Sequence, residues 1–390
     1  MIEVSGKEKM KVTIAIDSLK GSLTSLEAGE AAAEGIRRVY GDAAVCVRPL
    51  ADGGEGTVQA LACGMGGMLR KVTVTGPLGE TVDCEYGIIK ESRTAVVEMA
   101  GAAGITLVSD AERNPLYATT YGVGEVIRDA IANGCRRFVV GIGGSATNDG
   151  GVGMLQALGY GILDGNGAQV PFGAAGLEKI ASITDDNVLP ELSECTFRIA
   201  CDVTNPLCGE QGCSAVFGPQ KGADPDMIRR MDEWLMQFAA LAQEKYPDAD
   251  PKYPGTGAAG GLGFAFLGFT NAVLESGVKI VLDETRLDEY VRDADIVITG
   301  EGRLDGQTVM GKAPIGVART AKKYGKTVIG LSGCVTRDAV ACNAEGIDAF
   351  FPILRTVVSL EEAMETETAR RNLADTAEQV FRLIHSLKER

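Results

Sequence analysis

The chain has 390 residues, of which 45% are hydrophobic and 23% charged, and this balance is typical of a soluble globular protein with about two to three domains. Its formal net charge is −15. Nucleic acids and anionic membrane surfaces recruit clustered lysine and arginine, so we predict neither as a partner.

The N-terminal region alternates strand and helix patterns. Residues 11–16, KVTIAI, read as a buried strand, and Thr24 with Glu27 forms a T-x-x-E capping box at the start of a helix. Residues 43–50, AAVCVRPL, form the next strand, and EGTVQALACGM (55–65) the next helix. This βαβα order predicts a parallel sheet.

The middle of the chain has a different rhythm. Residues 71–89 alternate with period two around a turn, which predicts an antiparallel hairpin, and further strands are predicted at 94–100, 136–144 and 197–203. The uncharged stretch 253–274 is long enough to span a bilayer, but it is rich in glycine. We interpret it as a buried helix that lies close to other backbone.

The strand and helix alternation returns late in the chain. Strands are predicted at 294–300, 326–333 and 348–354, a helix at 313–325, and a final helix that opens with the box Ser359–Glu362. The predicted fold is therefore α/β. A doubly wound parallel-sheet domain is formed by residues 10–77 and 285–390, a second α/β domain is inserted at 78–284, and the cleft between them is the expected active site.

The residues available for chemistry are restricted. The one histidine, His385, falls in the C-terminal helix, which argues against histidine triads and histidine zinc sites. The ten cysteines include no C-x-x-C pair, and IEVSGKEKM after Met1 is too polar for a signal peptide. We therefore predict reduced cysteines and a cytoplasmic protein that works through carboxylates, lysine, arginine, hydroxyls and backbone.

Two glycine-rich segments nearly match known phosphate-binding motifs. Residues 141–146 fit the dinucleotide pattern G-x-G-x-x-A, with Asp164 about twenty residues on, but more glycines follow where the helix should begin. Residues 306–312, GQTVMGK, fit a P-loop except that Ala313 replaces the Ser or Thr that would bind Mg²⁺. We favour neither motif.

Acidic and glycine-rich loops follow five of the predicted strands. They are IDSLKGS (16–22), LADGGEGT (50–57), GIGGSATNDGG (141–151), CDVTNPL (201–207) and TGEGRLDGQTVMGK (299–312). Open parallel sheets bind ligands at the carboxyl ends of their strands. Phosphoryl transfer needs N–H groups and cations for the phosphates, carboxylates for Mg²⁺, and a carboxylate for the acceptor proton, so these loops suit a kinase.

The chain resembles the bacterial glycerate kinases, of the glycerate 2-kinase type. The five loops, together with FGPQKGA (217–223), look like that family's motifs in the family's order, from Lys11 to the C-terminus. The resemblance implies ATP-dependent phosphorylation of D-glycerate to 2-phosphoglycerate with Mg²⁺, in a two-domain α/β enzyme of glyoxylate or sugar-acid metabolism.

We assign candidate roles on chemical grounds. Asp52 is the candidate general base, Lys20 and Asp149 are further catalytic candidates, and Asp202 is the candidate metal ligand. The candidate substrate and phosphate contacts are Asp17, Ser22, Gly53, Gly54, Gly143, Gly144, Ser145, Asn148, Asn205, Lys221, Glu301, Arg303, Asp305 and Lys312.

Two other functions stay open at this point. One is a nicotinamide-dependent oxidoreductase of a small hydroxy acid, which would bind NAD(H) without needing Mg²⁺. The other is a sugar-acid-binding protein without turnover. The expected partners are D-glycerate and ATP, and a homodimer is also open.

Overall fold

The computed structural model describes residues 9–54 and 56–388. Its contacts divide the chain into two compact units. Unit 1 comprises Met1–Asp52 and Val281–Arg390, and unit 2 comprises Gly53–Ile280.

The strands and helices follow one another in α/β order. The strands are β1 (Lys11–Ile16), β2 (Ala44–Val47), β3 (Met68–Thr75), β4 (Thr81–Ile89), β5 (Thr94–Glu98), β6 (Arg137–Gly141), β7 (Gly161–Leu163), β8 (Ser182–Thr184), β9 (Thr196–Ala200), β10 (Ala272–Glu275), β11 (Ile296–Gly300), β12 (Arg303–Leu304), β13 (Thr327–Ser332), β14 (Cys334–Val335) and β15 (Ala349–Pro352). The helices are α1 (Ser25–Arg37), α2 (Thr57–Gly64), α3 (Ala100–Ala103), α4 (Tyr121–Ala132), α5 (Val152–Ala157), α6 (Ala174–Leu177), α7 (Cys213–Phe217), α8 (Pro225–Gln243), α9 (Ala258–Phe269), α10 (Gly277–Glu284), α11 (Leu287–Asp293), α12 (Ala313–Lys322), α13 (Ala341–Ala344), α14 (Leu360–Met364) and α15 (Thr366–Lys388).

Unit 1 is built around a five-stranded sheet formed from both ends of the chain. The strand order is β15-β13-β11-β1-β2, and every pairing in it is parallel. The prediction that the first two strands share a parallel sheet with the three late strands is confirmed. Buried parallel strands are nearly continuous apolar runs, which is why these strands are readable in the sequence.

The helices of unit 1 cover its sheet. Helix α1 carries the predicted box, in which Thr24 accepts from Glu27 N and Glu27 accepts from Thr24 N. It packs so closely on α15 that a Cβ at Gly35 would lie 2.0 Å from Ala374 O. Helix α12 packs on β1, β11 and β13, and α11 packs on α12 and on β1.

Unit 2 has a six-stranded mixed sheet of order β10-β9-β6-β5-β4-β3. β3 and β4 form the predicted antiparallel hairpin, with Thr75 opposite Thr81, while β5, β6, β9 and β10 run parallel. A separate core lies on this sheet, and it includes the stacked rings of Phe138 and Phe197, whose centroids are 4.7 Å apart.

The division between the units differs from the predicted boundaries at 77 and 285. Helix α2 packs on β4 and β5, and β3 pairs with β4, so residues 53–77 belong to unit 2. The second predicted βα pair is therefore split, since β2 lies in the sheet of unit 1 and α2 in unit 2.

The last predicted helix is two helices. Ser359 accepts from Glu362 N and caps α14, which has five residues. The backbone then leaves the helical region at Glu365 (φ −58°, ψ 127°), and α15 begins at Thr366. The box therefore opens a short helix rather than the long one.

The apolar stretch 253–274 contains the buried helix α9, as predicted, although Ala259, Gly260 and Gly261 near its start have left-handed rather than helical backbone. Gly260 has φ +65°, and a Cβ there would lie 2.1 Å from Thr147 O. Close approach to another backbone is what this glycine permits. No helix among the described residues is long and apolar enough to cross a membrane.

Candidate active site

The site in unit 1 forms where three neighbouring parallel strands end. Asp17 follows β1, Glu301 follows β11 and Gly333 follows β13. The register places Ile16 opposite Gly300, and Asp17 N donates to Gly300 O at 2.9 Å. These loops therefore meet at one edge of the sheet, where open α/β sheets bind ligands.

A cavity of about 540 Å³ lies at this edge. Eight of the residues predicted as site residues line it, and they come from three of the five loops. They are Asp17, Lys20, Ser22, Asp52, Glu301, Arg303, Asp305 and Lys312. The structure thus brings together residues that are nearly 300 positions apart in the chain.

Asp17 is the carboxylate most clearly affected by this environment. It is only 8% exposed, and Ser18 N donates to its Oδ1 at 2.7 Å. Burial, followed by the negative charge of Asp52, raises the pKa of Asp17 to about 7. Glu301 raises this pKa further and Lys20 opposes the rise. A carboxyl group that titrates near neutral pH suits proton transfer.

Glu301 is held by a hydrogen bond and by a nearby cation. Its Oε1 accepts from Thr308 Oγ1 at 2.8 Å, and its Oε2 lies 3.7 Å from Lys312 Nζ. Burial raises the pKa of Glu301, and the Thr308 hydrogen bond and Lys312 oppose that rise. Thr308 lies inside GQTVMGK, where sequence reasoning missed its hydroxyl.

The cations of the site are more accessible than its acids. Lys20 is exposed, and Arg303 Nε lies 3.3 Å from Asp305 Oδ2, with most of the Arg303 side chain in solvent. Lys312 is the residue before α12, at the positive end of that helix. This set suits an anionic ligand.

Ser22 and an apolar wall complete the cavity. The buried Ser22 Oγ has no hydrogen-bond partner among the described residues. Leu354, Leu360 and Met364 line the same cavity. Sequence reasoning missed these three, because isolated leucines and methionines look the same in a core and in a binding site.

Asp149 is placed differently from the other catalytic candidates. It lies in unit 2, it is fully buried, and its carboxylate accepts from Thr120 N, Thr120 Oγ1, Gly151 N and Gly153 N. Burial raises its pKa, and these hydrogen bonds oppose the rise. The carboxylate therefore holds the start of α5 and does not line the cavity in unit 1.

The buried Lys221 also holds the glycine-rich loop 141–151 by hydrogen bonds. Its Nζ donates to Ser145 Oγ at 2.8 Å and to Thr147 O at 2.5 Å, and burial lowers its pKa to about 8. Next to it, Asn148 donates to Ser214 Oγ, while Asn148 Oδ1 is buried without a partner among the residues described.

The exposed part of the same loop is Gly143 and Gly144. The loop after the adjacent strand β9 holds Asp202, which is exposed and accepts from Gly277 N, and Asn205, which donates to Gln211 O. By contrast, Gly150 and Gly151 approach the side chains of α8 and α9. Gly143 and Gly144 are therefore accessible to a ligand, whereas Gly150 and Gly151 serve packing.

Gly53 and Gly54 open unit 2. Gly53 has φ +92°, and a Cβ there would lie 2.6 Å from Gly277 Cα. Gly54 O accepts from Thr57 Oγ1 at 2.7 Å. Close packing against Gly277 therefore accounts for the glycine at position 53.

The two partial phosphate motifs do not form the structures that they resemble. After β6 ends at Gly141, ten residues precede α5 at Val152, whereas a dinucleotide turn leads directly into its helix. Residues 308–310 of GQTVMGK form a single 3₁₀ turn. Among the described residues there is also no group of three or more His, Cys, Asp or Glu arranged to hold a metal ion.

Comparison with known proteins identifies the family. The model of the glycerate kinase family matches residues 12–385. A glycerate kinase of Haemophilus influenzae is 47% identical over 96% of this chain and 99% of its own length, and the glycerate 2-kinase of Escherichia coli is 45% identical over 94% and 98%. A solved structure of a candidate glycerate kinase 2 from Salmonella typhimurium LT2 superposes with a TM-score of 0.91, at 45% identity, over 98% of this chain and all of that one. The chain therefore belongs to the glycerate kinase family.

Proposed function

We propose that this protein transfers the γ-phosphoryl group of ATP to D-glycerate, forming ADP and 2-phosphoglycerate. The observation that carries the proposal is family membership along nearly the whole chain, with a relative named glycerate 2-kinase among the similar proteins. The cavity in unit 1 supports it, because it combines buried carboxylates with exposed cations. Neither an oxidoreductase nor a binding protein without turnover is favoured by these similarities.

In the proposed reaction the 2-hydroxyl oxygen of glycerate forms a bond to the γ-phosphorus. The bond from that phosphorus to the bridging oxygen of ADP breaks, and the hydroxyl proton passes to a carboxylate. Asp52 is the base suggested by the sequence, and it lies close enough to Asp17 for its charge to raise the pKa of Asp17. We assign the proton to this pair, with Asp52 as its acceptor.

Lys20, Arg303 and Lys312 are proposed to bind phosphate oxygens, with Ser22 as a hydroxyl donor. In unit 2, the proposed contacts to an anionic group are Gly143, Gly144 and Ser145. Lys221 Nζ donates to Ser145 Oγ and so fixes the position of this side chain. Asn148 and Asn205 support these loops, and Asp149 acts as a positioning residue.

Mg²⁺ is part of the proposal. Carboxylate oxygens are the ligands that it prefers, and it usually binds through one or two of them together with substrate phosphates, so a three-carboxylate cage is not needed. Asp202 is the proposed protein ligand, since it is exposed at the end of a parallel strand. When bound, the ion would neutralise phosphate charge.

Two further parts of the proposal concern context. We propose that the protein is cytoplasmic. All ten cysteines are free, which is consistent with the reducing conditions of the cytoplasm. A homodimer is supported by the edge position of β3, whose outer side pairs with no strand in the described part of the chain and could pair with a second strand. Light scattering of the purified protein tests the second point.

The decisive experiment is a coupled assay of ADP release with a panel of small hydroxy acids. We expect turnover with Mg-ATP and D-glycerate, and an NMR spectrum of 2-phosphoglycerate as the main product. Robust turnover of another acid without D-glycerate turnover would overturn the substrate assignment but leave a kinase. Binding of NAD(H) without ADP release would overturn the kinase itself.

A further inference from the structure

The residues that line the cavity in unit 1 fall into two sets, which we call its anion-binding side and its apolar side. The anion-binding side consists of the charged residues described above, and the apolar side comes from the chain that leaves β15 and from α14. On the apolar side Leu354, Leu360 and Met364 are 41%, 76% and 37% exposed. Large apolar side chains that are exposed around a cavity point to a ligand with an apolar face.

The apolar side is attached to the anion-binding side. A Cβ at Gly21 would lie 2.8 Å from Met364 Cε, so Met364 lies directly over the loop that carries Lys20 and Ser22. Thr366 Oγ1 also donates to Ser22 O at 3.1 Å. The two sides of the cavity are therefore in contact, and one ligand can touch both.

Glycerate matches only one of these sides. It is a three-carbon acid without a ring or a sizeable apolar surface. A cavity of about 540 Å³ is larger than glycerate, and glycerate has no apolar group to contact the apolar wall. A nucleoside triphosphate has a flat base at one end and a chain of anionic oxygens at the other. Its base would contact the apolar wall while its phosphates reach Lys20, Ser22, Arg303 and Lys312.

We propose that this cavity of unit 1 is the nucleotide site, with the purine base against the wall formed by Leu354, Leu360 and Met364 and the phosphates at the ends of β1 and β11. The proposal deepens the proposed function and rests on it for the identity of the co-substrate. It assigns three residues outside the acidic loops to nucleotide recognition.

Equilibrium binding to the full-length protein tests the proposal without glycerate or turnover. The ligands are Mg-ADP, adenosine and tripolyphosphate, measured by calorimetry. The wall variant is the double substitution Leu354→Gln and Leu360→Gln. Its matched control is Val357→Gln, which changes an exposed apolar residue of the same segment that does not line the cavity.

We expect the wall variant to weaken Mg-ADP and adenosine about tenfold or more and to leave tripolyphosphate unchanged, while the control binds all three like the wild type. Lys20→Met is expected to weaken Mg-ADP and tripolyphosphate and to spare adenosine. Because both sites of substitution are exposed, the variants should keep the melting temperature of the wild type.

Cys334, which also lines the cavity, gives a second measurement. Saturating Mg-ADP should slow its alkylation several-fold, as followed by peptide mass spectrometry, whereas the exposed Cys63 of unit 2 should react at an unchanged rate. Unchanged nucleotide binding in the wall variant together with unprotected Cys334 would overturn the proposal. So would a wall variant that raises KM only for glycerate. Failure of the proposed function is a separate outcome, seen as nucleotide binding without phosphorylation of D-glycerate.

Discussion

At the end of β1, Asp17 carries a carboxyl group that the fold keeps partly protonated near neutral pH. Its pKa of about 7 has two main causes, burial and the nearby charge of Asp52. The sequence indicated that both residues belong to the site, because each follows a predicted strand. It could not show which of them titrates, because burial and distance are set by chain segments far from the motif.

The first prediction concerns Asp52→Asn. The change keeps size and turn propensity but removes the proton acceptor, so kcat and kcat/KM for glycerate should fall together by about 100-fold or more. Nucleotide affinity should not decrease. Steady-state kinetics with both substrates varied gives these values, and Asp42→Asn, an exposed aspartate of the same unit, is the control. A near-wild-type kcat would remove Asp52 from the mechanism.

The second prediction concerns the pH dependence of stability. The pKa of Asp17 is higher in the folded protein than the ordinary value of 3.8, so folding is favoured by its protonated form. The cost of ionising it is absent below about pH 4, grows as the pH rises to about 7, and is complete above that. It amounts to at most about 4 kcal/mol.

Asp17→Asn removes this cost, so the free energy of unfolding of the variant relative to the wild type should rise between about pH 4 and pH 7 and stay constant above that. Urea titrations at several pH values measure it. In an Asp52→Asn background the rise should be smaller, because one of its causes is gone. A difference that is constant with pH would show that Asp17 has an ordinary pKa. The same variant should lose activity, as expected where a strained site is kept for function.

At the scale of elements, the sequence shows the alternation of strands and helices, but it does not show to which of the two units each element belongs. KVTIAI and ADIVITG are apolar runs that match buried parallel strands. Helix α2 and strand β3 have equally clear local patterns, yet they belong to unit 2 only because α2 packs on β4 and β5 and β3 pairs with β4. That pairing joins residues by long-range contacts, which local periodicity does not record.

The apolar wall of the cavity escaped prediction for a related reason. The acidic loops follow strands, so the general rule for parallel sheets locates them. Leu360 and Met364 instead lie on a five-residue helix, and some of the residues that line the cavity with them, such as Lys20 and Ser22, come from the other end of the chain. Only the folded structure shows that these side chains face a cavity rather than a core.

The third prediction tests the contact between α9 and the glycine-rich loop. Gly260→Ala would place a Cβ 2.1 Å from Thr147 O, which is backbone and cannot move away cheaply. Gly66→Ala is the matched control, since Gly66 has φ +70° but a Cβ there would meet no atom within 4 Å. The control should cost about 1 kcal/mol of stability from its backbone conformation alone.

Gly260→Ala should cost clearly more than that, by about 2 kcal/mol or more in the free energy of unfolding. It should also lower activity through the 141–151 loop, because Gly150 N donates to Gly260 O. Equal stability of the two variants would mean that the loop moves aside easily and that the close approach is not needed.

At the scale of the whole molecule, the two units differ in how the chain builds them. Unit 2 is continuous from Gly53 to Ile280 and has its own mixed sheet and core. Unit 1 is discontinuous, because β1 and β2 come from the N-terminal segment and β11, β13 and β15 from the C-terminal one. The neighbouring strands β1 and β11 of its sheet pair with each other and so join the N-terminal segment to the C-terminal one.

The last prediction follows from this difference. A fragment of residues 53–280 should fold alone, since its sheet and core are complete within it, and a compact α/β unit with its own core is able to fold independently. A fragment of residues 1–52 has only β1, α1 and β2 and should lack stable structure, because two strands and one helix bury too little apolar surface.

Circular dichroism and thermal unfolding of the two fragments measure this directly. We expect one cooperative transition for 53–280 and none for 1–52, and we expect 1–52 and 281–390 to gain structure only when they are mixed. An unfolded 53–280 fragment would mean that the inserted unit depends on unit 1 for its stability. In that case the continuous chain, sheet and core of unit 2 would be insufficient, and the insertion would have to be regarded as one folding unit with the rest of the protein.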